Sequence, residues 1–153
     1  MQVDTLLRVR FGECDPQNVV FNARYADYVD IASTEYLRFL CNGYDSLQNA
    51  GLMTQVVNLT INWKNAATFD QVLLLEMTCE RIGTTSFTLN CNITHYESAN
   101  PSVREIATAS VTYVVMSEKT ASAVPIPEAI KEALGASHRV GPINYAGHVG
   151  LTR

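Results

Sequence analysis

The chain is short of the features that announce many common functions. Its four cysteines, Cys14, Cys41, Cys79 and Cys91, stand far apart with no CxxC pair, and no histidine lies at zinc-finger spacing from any of them. That disfavours both a disulfide framework and a structural zinc site. Only 17% of residues are charged and the formal net charge is -4. Nucleic-acid binding needs clustered Lys and Arg to neutralise phosphates, so it is not expected. No stretch approaches the ~18 apolar residues of a membrane span, and MQVDTLLRVRFGECD shows no basic leader followed by an apolar core. The expectation is a cytoplasmic protein with no membrane partner. No Gly-x-Ser-x-Gly elbow presents a serine nucleophile. His95, His138 and His148 form no i, i+4 pair and have no clustered carboxylates, so no metal or other cofactor is expected.

What is present is an ordinary globular composition, 47% hydrophobic over 153 residues. One domain spanning residues 1–153 fits that length. From Asn22 the run NARYADYVDIASTEYLRFL repeats Tyr25, Tyr28, Val29, Ala32, Tyr36, Phe39 and Leu40 at three- and four-residue steps. This predicts an amphipathic helix of about five turns, stopped at Asn42-Gly43. A short helical piece is expected from Asp45 to Ala50, ending at Gly51.

From Thr54 to Met116 the period changes to two. In TQVVNLTINW, Val57, Leu59, Ile61 and Trp63 alternate with Asn58, Thr60 and Asn62. In SFTLNCNITHY, Phe87, Leu89, Cys91 and Ile93 alternate with polar residues. QVLLLEMTCE and EIATASVTYVVM supply two more strands, and TLLRVRF one before the helix. The intervals Asn65 to Asp70, Arg81 to Thr85 and Ser98 to Ser102 suit hairpins, which predicts an antiparallel meander. Pro127 opens a short helix that Gly135 stops. The tail 136–153, with Gly141, Pro142, Gly147 and Gly150, has no period and is expected to be loosely ordered. A long helix apolar along one face needs cover, and only a sheet is available. The architecture expected is α+β, a five-stranded antiparallel sheet wrapped around one long central helix.

The stretch CDPQNVVFN concentrates the candidate chemistry. Asp15 precedes the helix start by seven residues, with Asn22 as candidate N-cap. A helix N-terminus offers unpaired N–H groups and partial positive charge, which suit a carbonyl oxygen gaining negative charge. Asp15 facing such a carbonyl would serve as general base or nucleophile. The same residues also read as a turn, with Asp first, Pro16 second and Asn18 tolerant of a positive φ. Val19, Val20 and Phe21 would line an acyl pocket, or Phe21 would act as a staple against Tyr25 or Ala26. Tyr25 near the helix start would edge such a pocket. Cys14 lacks a neighbouring base and reads as a small packed residue.

The run RVRFGECDPQNVVFNARYADYVDIASTEYL resembles the signature segment of hotdog-fold acyl-CoA thioesterases of the 4-hydroxybenzoyl-CoA thioesterase type. VVNLTINWKNAATFDQVLLLEMTCERIGTTSF resembles that family's central strand pair, with Trp63-Lys64 before the turn. The resemblance implies the hotdog fold and hydrolysis of an acyl-CoA thioester. It places Asp15 at the family's catalytic carboxylate and the Asn22 backbone N–H at the group polarising the thioester carbonyl. It also implies self-association, as a homodimer or a dimer-of-dimers homotetramer, with sites assembled across the dimer. Two departures bear on mechanism: Asn18 stands where glycine is usual, and Val19 where many members carry histidine. The family's phosphate-binding cluster is thin here. Arg81 and Lys64 are the cations available, with hydroxyls and N–H groups at Thr84, Thr85 and Ser86. A non-catalytic acyl-CoA-binding module of the same fold is the alternative. A hydratase or dehydratase is less favoured, because that branch places histidine five residues after the aspartate, at Val20.

Overall fold

In a computed structural model, which describes residues 1–40, 43, 45–96 and 104–147, a curved sheet packs around one long helix. The elements run β1 (Gln2–Arg8), a 3-10 turn (Phe11–Glu13), α1 (Arg24–Leu40), α2 (Asp45–Asn49), β2 (Leu52–Trp63), β3 (Val72–Ile82), β4 (Ser86–His95), β5 (Arg104–Ser117), α3 (Glu128–Gly135) and β6 (Arg139–Asn144). Cys41, Asn42, the hairpin expected at 98–102, His148 and the end of the tail lie outside the described residues.

The period-two reading of the central strands is realised. Phe87, Leu89, Cys91 and Ile93 of β4 are all buried, as are Val111, Ala109 and Ala107, which face them on β5. α1 lies over this face chiefly against β1 and β3. Tyr25, Tyr28, Val29, Ala32, Tyr36 and Leu40 are buried in the common core, as the helical period requires. Phe39 departs from the expected stripe and is exposed, while Leu37 is buried in its place. The helix begins at Arg24, two residues after the expected cap. At its far end Gly43, with φ +123°, sends its N–H to the carbonyl of Arg38 at 2.8 Å, the kind of closure a helix stop requires.

Three expectations are corrected. The sheet has six strands, in the order β2-β5-β4-β3-β1-β6. The sixth comes from the tail expected to be loose, and it pairs parallel to β1, so the sheet is not wholly antiparallel. Gly141 and Pro142 hid this strand. Proline is tolerated on an edge strand, and Gly141 is needed there because a Cβ would sit 2.5 Å from the Asp4 carbonyl oxygen. Side chains then pin the tail: Arg139 binds the carboxylates of Asp4 at 2.6 Å and Glu76 at 3.1 Å, and the Tyr145 hydroxyl donates to Glu35 at 2.6 Å.

The meander is also incomplete. β3, β4 and β5 are consecutive neighbours, but β2 pairs with β5 at the opposite edge and does not touch β3. As an edge strand beyond the reach of most of α1, β2 is not half-buried. Val57, Leu59 and Trp63 remain 57%, 39% and 51% exposed, and only Ile61 of that set packs on the core. A register shift between Val56 and Asn58 further breaks the expected alternation.

Candidate active site

The segment after β1 is a tight loop closed on itself by backbone hydrogen bonds. Phe21 N–H donates to the Glu13 carbonyl at 2.9 Å, and Asp15 N–H to the Val19 carbonyl at 2.9 Å, with Cys14 and Val20 paired between them. At the tip, Asn18 N–H donates to the Asp15 carbonyl at 2.9 Å, which closes the Asp15-Pro16-Gln17-Asn18 turn. Asn18 takes φ +61°, the left-handed conformation that asparagine accepts better than other non-glycine residues. The returning strand of the loop is seated on the β2–β3 connection. There Val20 N–H donates to the Ala67 carbonyl at 2.9 Å, and Val19 bridges Thr68.

This loop presents Asp15 without burying it. Its Oδ1 accepts the Gln17 N–H at 2.8 Å, and among the described residues no cation pairs with the carboxylate. Asn22 follows at the entry to α1. Its carbonyl accepts from Tyr25 N–H at 3.4 Å, while its own N–H has no acceptor among the described residues. An unengaged donor at the positive end of a helix and a carboxylate on the same loop can polarise a carbonyl and activate a nucleophile. The side chain of Asn22 makes no described capping bond.

Several other candidate residues gather at this end of the sheet. Tyr25 is buried and meets Trp63 edge to face, with ring centroids 6.3 Å apart, and it also meets Tyr28 at 5.8 Å. Burial pushes the Tyr25 phenol up, with a backbone hydrogen bond at Ala67 acting the other way. Val20 is buried beneath the loop, Val19 is partly covered, and Phe21 and Trp63 leave about half their surface in solvent. Val20 therefore holds the loop down, whereas Phe21 is too exposed for a staple and, like Trp63, stays open to solvent. Lys64, next in sequence, is exposed and fixed through its own N–H to the Ile106 carbonyl at 2.9 Å.

Arg81, Thr84, Thr85 and Ser86 are not part of this gathering. They form the β3–β4 hairpin at the opposite end of the sheet. Trp63 pairs with Ala107 and Ser86 with Val114, so the two ends are seven residues apart along β5, roughly 23 Å at 3.3 Å per residue. Thr84 and Thr85 use their carbonyls to accept from Ile126 and Val115, both at 2.8 Å, which holds the hairpin rigid. Arg81 shares an open depression of about 410 Å³ with Glu80, Thr88 and Thr112. One chain alone does not bring these residues to Asp15. Another cleft, of about 270 Å³, lies between α1 and the tail, lined in part by Arg10, Asp30, Glu35 and Tyr145, and does not include Asp15.

Sequence reasoning missed Glu13. Its Oε2 accepts from the Tyr28 hydroxyl at 2.8 Å and from Arg10 N–H at 2.7 Å. No local pattern could have revealed the pairing with Tyr28, which lies fifteen positions away. Tyr28 read simply as helix core. Ala67 and Thr68 were likewise read only as a hairpin interval, because the loop that docks on them is remote in sequence.

A family model described as the thioesterase-like superfamily matches residues 9–134. A putative esterase of Aquifex aeolicus (strain VF5) is 25% identical over 127 residues, covering 83% of this chain and 93% of that protein. Among solved structures, YbaW, a probable thioesterase from Escherichia coli, is 25% identical with a TM-score of 0.73, over 86% of this chain and 95% of its own. A mutant 4-hydroxybenzoyl-CoA thioesterase in complex with 4-hydroxybenzoyl-CoA has a TM-score of 0.76 at 20% identity, over 88% of this chain and 99% of its own. The matched segment contains the Asp15 loop, α1 and the β3–β4 hairpin, and stops before β6.

Proposed function

Since this chain belongs to the thioesterase-like superfamily and has the hotdog fold, we propose that it hydrolyses an acyl-CoA to the free acid and coenzyme A. Asp15 is the general base or the nucleophile, and the Asn22 backbone N–H polarises the thioester carbonyl. The observation that carries this reading is the pairing of an uncompensated carboxylate with an unengaged helix-start N–H on one hydrogen-bonded loop. In the general-base form, Asp15 takes a proton from water as its oxygen bonds to the carbonyl carbon. The C–S bond then breaks, and the coenzyme A thiolate leaves and is protonated. In the nucleophilic form, an Asp15 oxygen bonds to that carbon and expels the thiolate. Water then hydrolyses the mixed anhydride. Both forms place negative charge on the carbonyl oxygen, where the Asn22 N–H and the helix dipole stabilise it.

The site is assembled from two copies of the chain. β2 is an open edge with Val57, Leu59 and Trp63 in solvent, a surface suited to pairing with a second copy. If the two β2 strands pair antiparallel about a two-fold axis, the Leu52 end of one lies beside the Trp63 end of the other. The β3–β4 hairpin belongs to the Leu52 end, because Leu52 pairs with Ser117 and Ser86 with Val114 on β5. A second copy thereby delivers its Arg81, Thr84, Thr85 and Ser86 towards the Asp15 loop of the first, where Lys64 also lies. Phosphates of coenzyme A are the natural ligand for those cations, hydroxyls and N–H groups. The assembly is a homodimer or a dimer-of-dimers tetramer.

The deciding experiment measures thiol release from short, medium, long and aromatic acyl-CoAs by the wild type and by Asp15→Asn. Turnover by the wild type and its loss in the variant is the expected result. Saturable coenzyme A thioester binding with no turnover would instead establish the non-catalytic binding module. Single turnover in heavy-oxygen water tests the nucleophilic form, since label recovered in Asp15 requires an anhydride whose aspartyl carbon water has attacked.

A further inference from the structure

We infer that Glu13, held by Tyr28, is the positioning residue that sets the distance between Asp15 and the Asn22 N–H; this rests on the catalytic roles proposed above. Glu13 is engaged at four points, its own N–H donating to the Arg10 carbonyl at 3.1 Å. Its carboxylate accepts from Arg10 N–H at 2.7 Å and from the Tyr28 hydroxyl at 2.8 Å, and its carbonyl accepts from Phe21 N–H at 2.9 Å. These bonds tie the start of the loop, its return strand and the second turn of α1 to one residue. Asp15 lies two residues after Glu13, and Asn22 one residue after Phe21. Any displacement of Glu13 therefore moves the carboxylate and the oxyanion donor relative to each other.

The construction is stiff where it needs to be. Tyr28 is 1% exposed and its ring packs on Tyr25, so the hydroxyl that grips Glu13 has little freedom of its own. Burial, then the hydrogen bond to Glu13, push the Tyr28 phenol far up, so it remains a donor throughout the working range. Glu13 touches neither carbonyl nor nucleophile in this scheme and acts only through its neighbours. Attack on a carbonyl is sensitive to placement, and a misplacement of about 1 Å costs roughly 100-fold.

The test uses steady-state kinetics on the best thioester of the panel, with Tyr28→Phe and Glu13→Gln. Tyr28→Phe removes a single hydroxyl and keeps the ring. The expected result is a fall in kcat of about 10- to 100-fold with KM changed less than about threefold, measured well below the melting temperature of each variant. Glu13→Gln keeps an acceptor oxygen and is expected to retain more activity than Glu13→Ala. A purely structural role predicts lower melting temperatures with kcat restored on cooling, and that result would overturn the inference. So would a wild-type kcat in Tyr28→Phe while Asp15→Asn is inactive, and this leaves the catalytic reading intact. A wild type that turns over no thioester removes both.

Discussion

The backbone N–H of Asp15 donates to the carbonyl of Val19 at 2.9 Å, so the loop that carries the carboxylate is shaped by its main chain and not by the carboxylate itself. The one side-chain bond Asp15 makes among the described residues, from Gln17 N–H to Oδ1, can be made equally by an asparagine oxygen. Asp15→Asn is therefore expected to fold with a stability change below about 0.5 kcal/mol while hydrolysis falls by about 100- to 10,000-fold. Thiol-release kinetics beside a urea titration check both halves. A sharp loss of stability with an unchanged rate would return Asp15 to the status of a turn residue.

That loop also shows how far local sequence reaches. Asp15, Pro16 and Asn18 announced a turn, and the turn forms with Asn18 at positive φ, because the constraints act within four residues. The strand faces of β4 and the buried stripe of α1 were legible for the same reason: period reports which side is covered. Period does not report what covers it. Val57, Leu59 and Trp63 alternate like a buried face, yet β2 lies at the edge of the sheet, where α1 hardly reaches. β6 was illegible because its pairing depends on the open edge of β1, more than 130 residues earlier in the chain. Glu13 escaped notice because its partner lies on another element.

The exposed edge of β2 leads to a second expectation. A charge on a surface that joins two copies opposes their association, whereas on a free surface it is nearly neutral. Leu59→Lys together with Val57→Lys should yield a folded monomer that elutes later in size exclusion and unfolds with unchanged cooperativity. Its thioesterase activity should be lost with the dimer, since one chain holds Ser86 of the β3–β4 hairpin seven residues along β5 from the Trp63 end, roughly 23 Å. A monomer of full activity would show that the site is complete in one chain.

The tail supplies a third. Asp4 is buried, and Arg139 holds it together with Glu76. Arg139→Ala leaves Gln2, among the described residues, as the remaining side-chain donor to Asp4, at 2.8 Å. Arg139 itself is more than half exposed, so solvent screens much of the pair, and a loss of about 1–2 kcal/mol is expected. Tyr145→Phe should cost less, about 1 kcal/mol, because Arg38 still lies 3.6 Å from Glu35. Urea titrations measure both, and hydrogen exchange should place the weakened protection on β6 and the β1 amides facing it.

A fourth concerns alkaline stability. Cys91 lies fully buried between Met77 of β3 and Ala109 of β5, and burial pushes its thiol from 9.0 up to about 12. Between those values the unfolded chain gives up a proton that the folded chain keeps. The folded state then binds more protons, and stability must fall as pH rises, by about 1.4 kcal/mol per pH unit for one such group. Tyr25, Tyr28 and Tyr36, whose phenols burial also pushes up from 10.0, join the same downward slope above that pH. Denaturant midpoints taken under reducing conditions at pH 7, 9 and 10 should therefore be level at first and then decline. Cys91→Ala loses packing and should start about 1 kcal/mol lower at pH 7, yet decline less steeply between pH 9 and 10. An equal slope in the two proteins would mean that the thiol ionises in the folded state as readily as in the unfolded one, against its complete burial between two central strands.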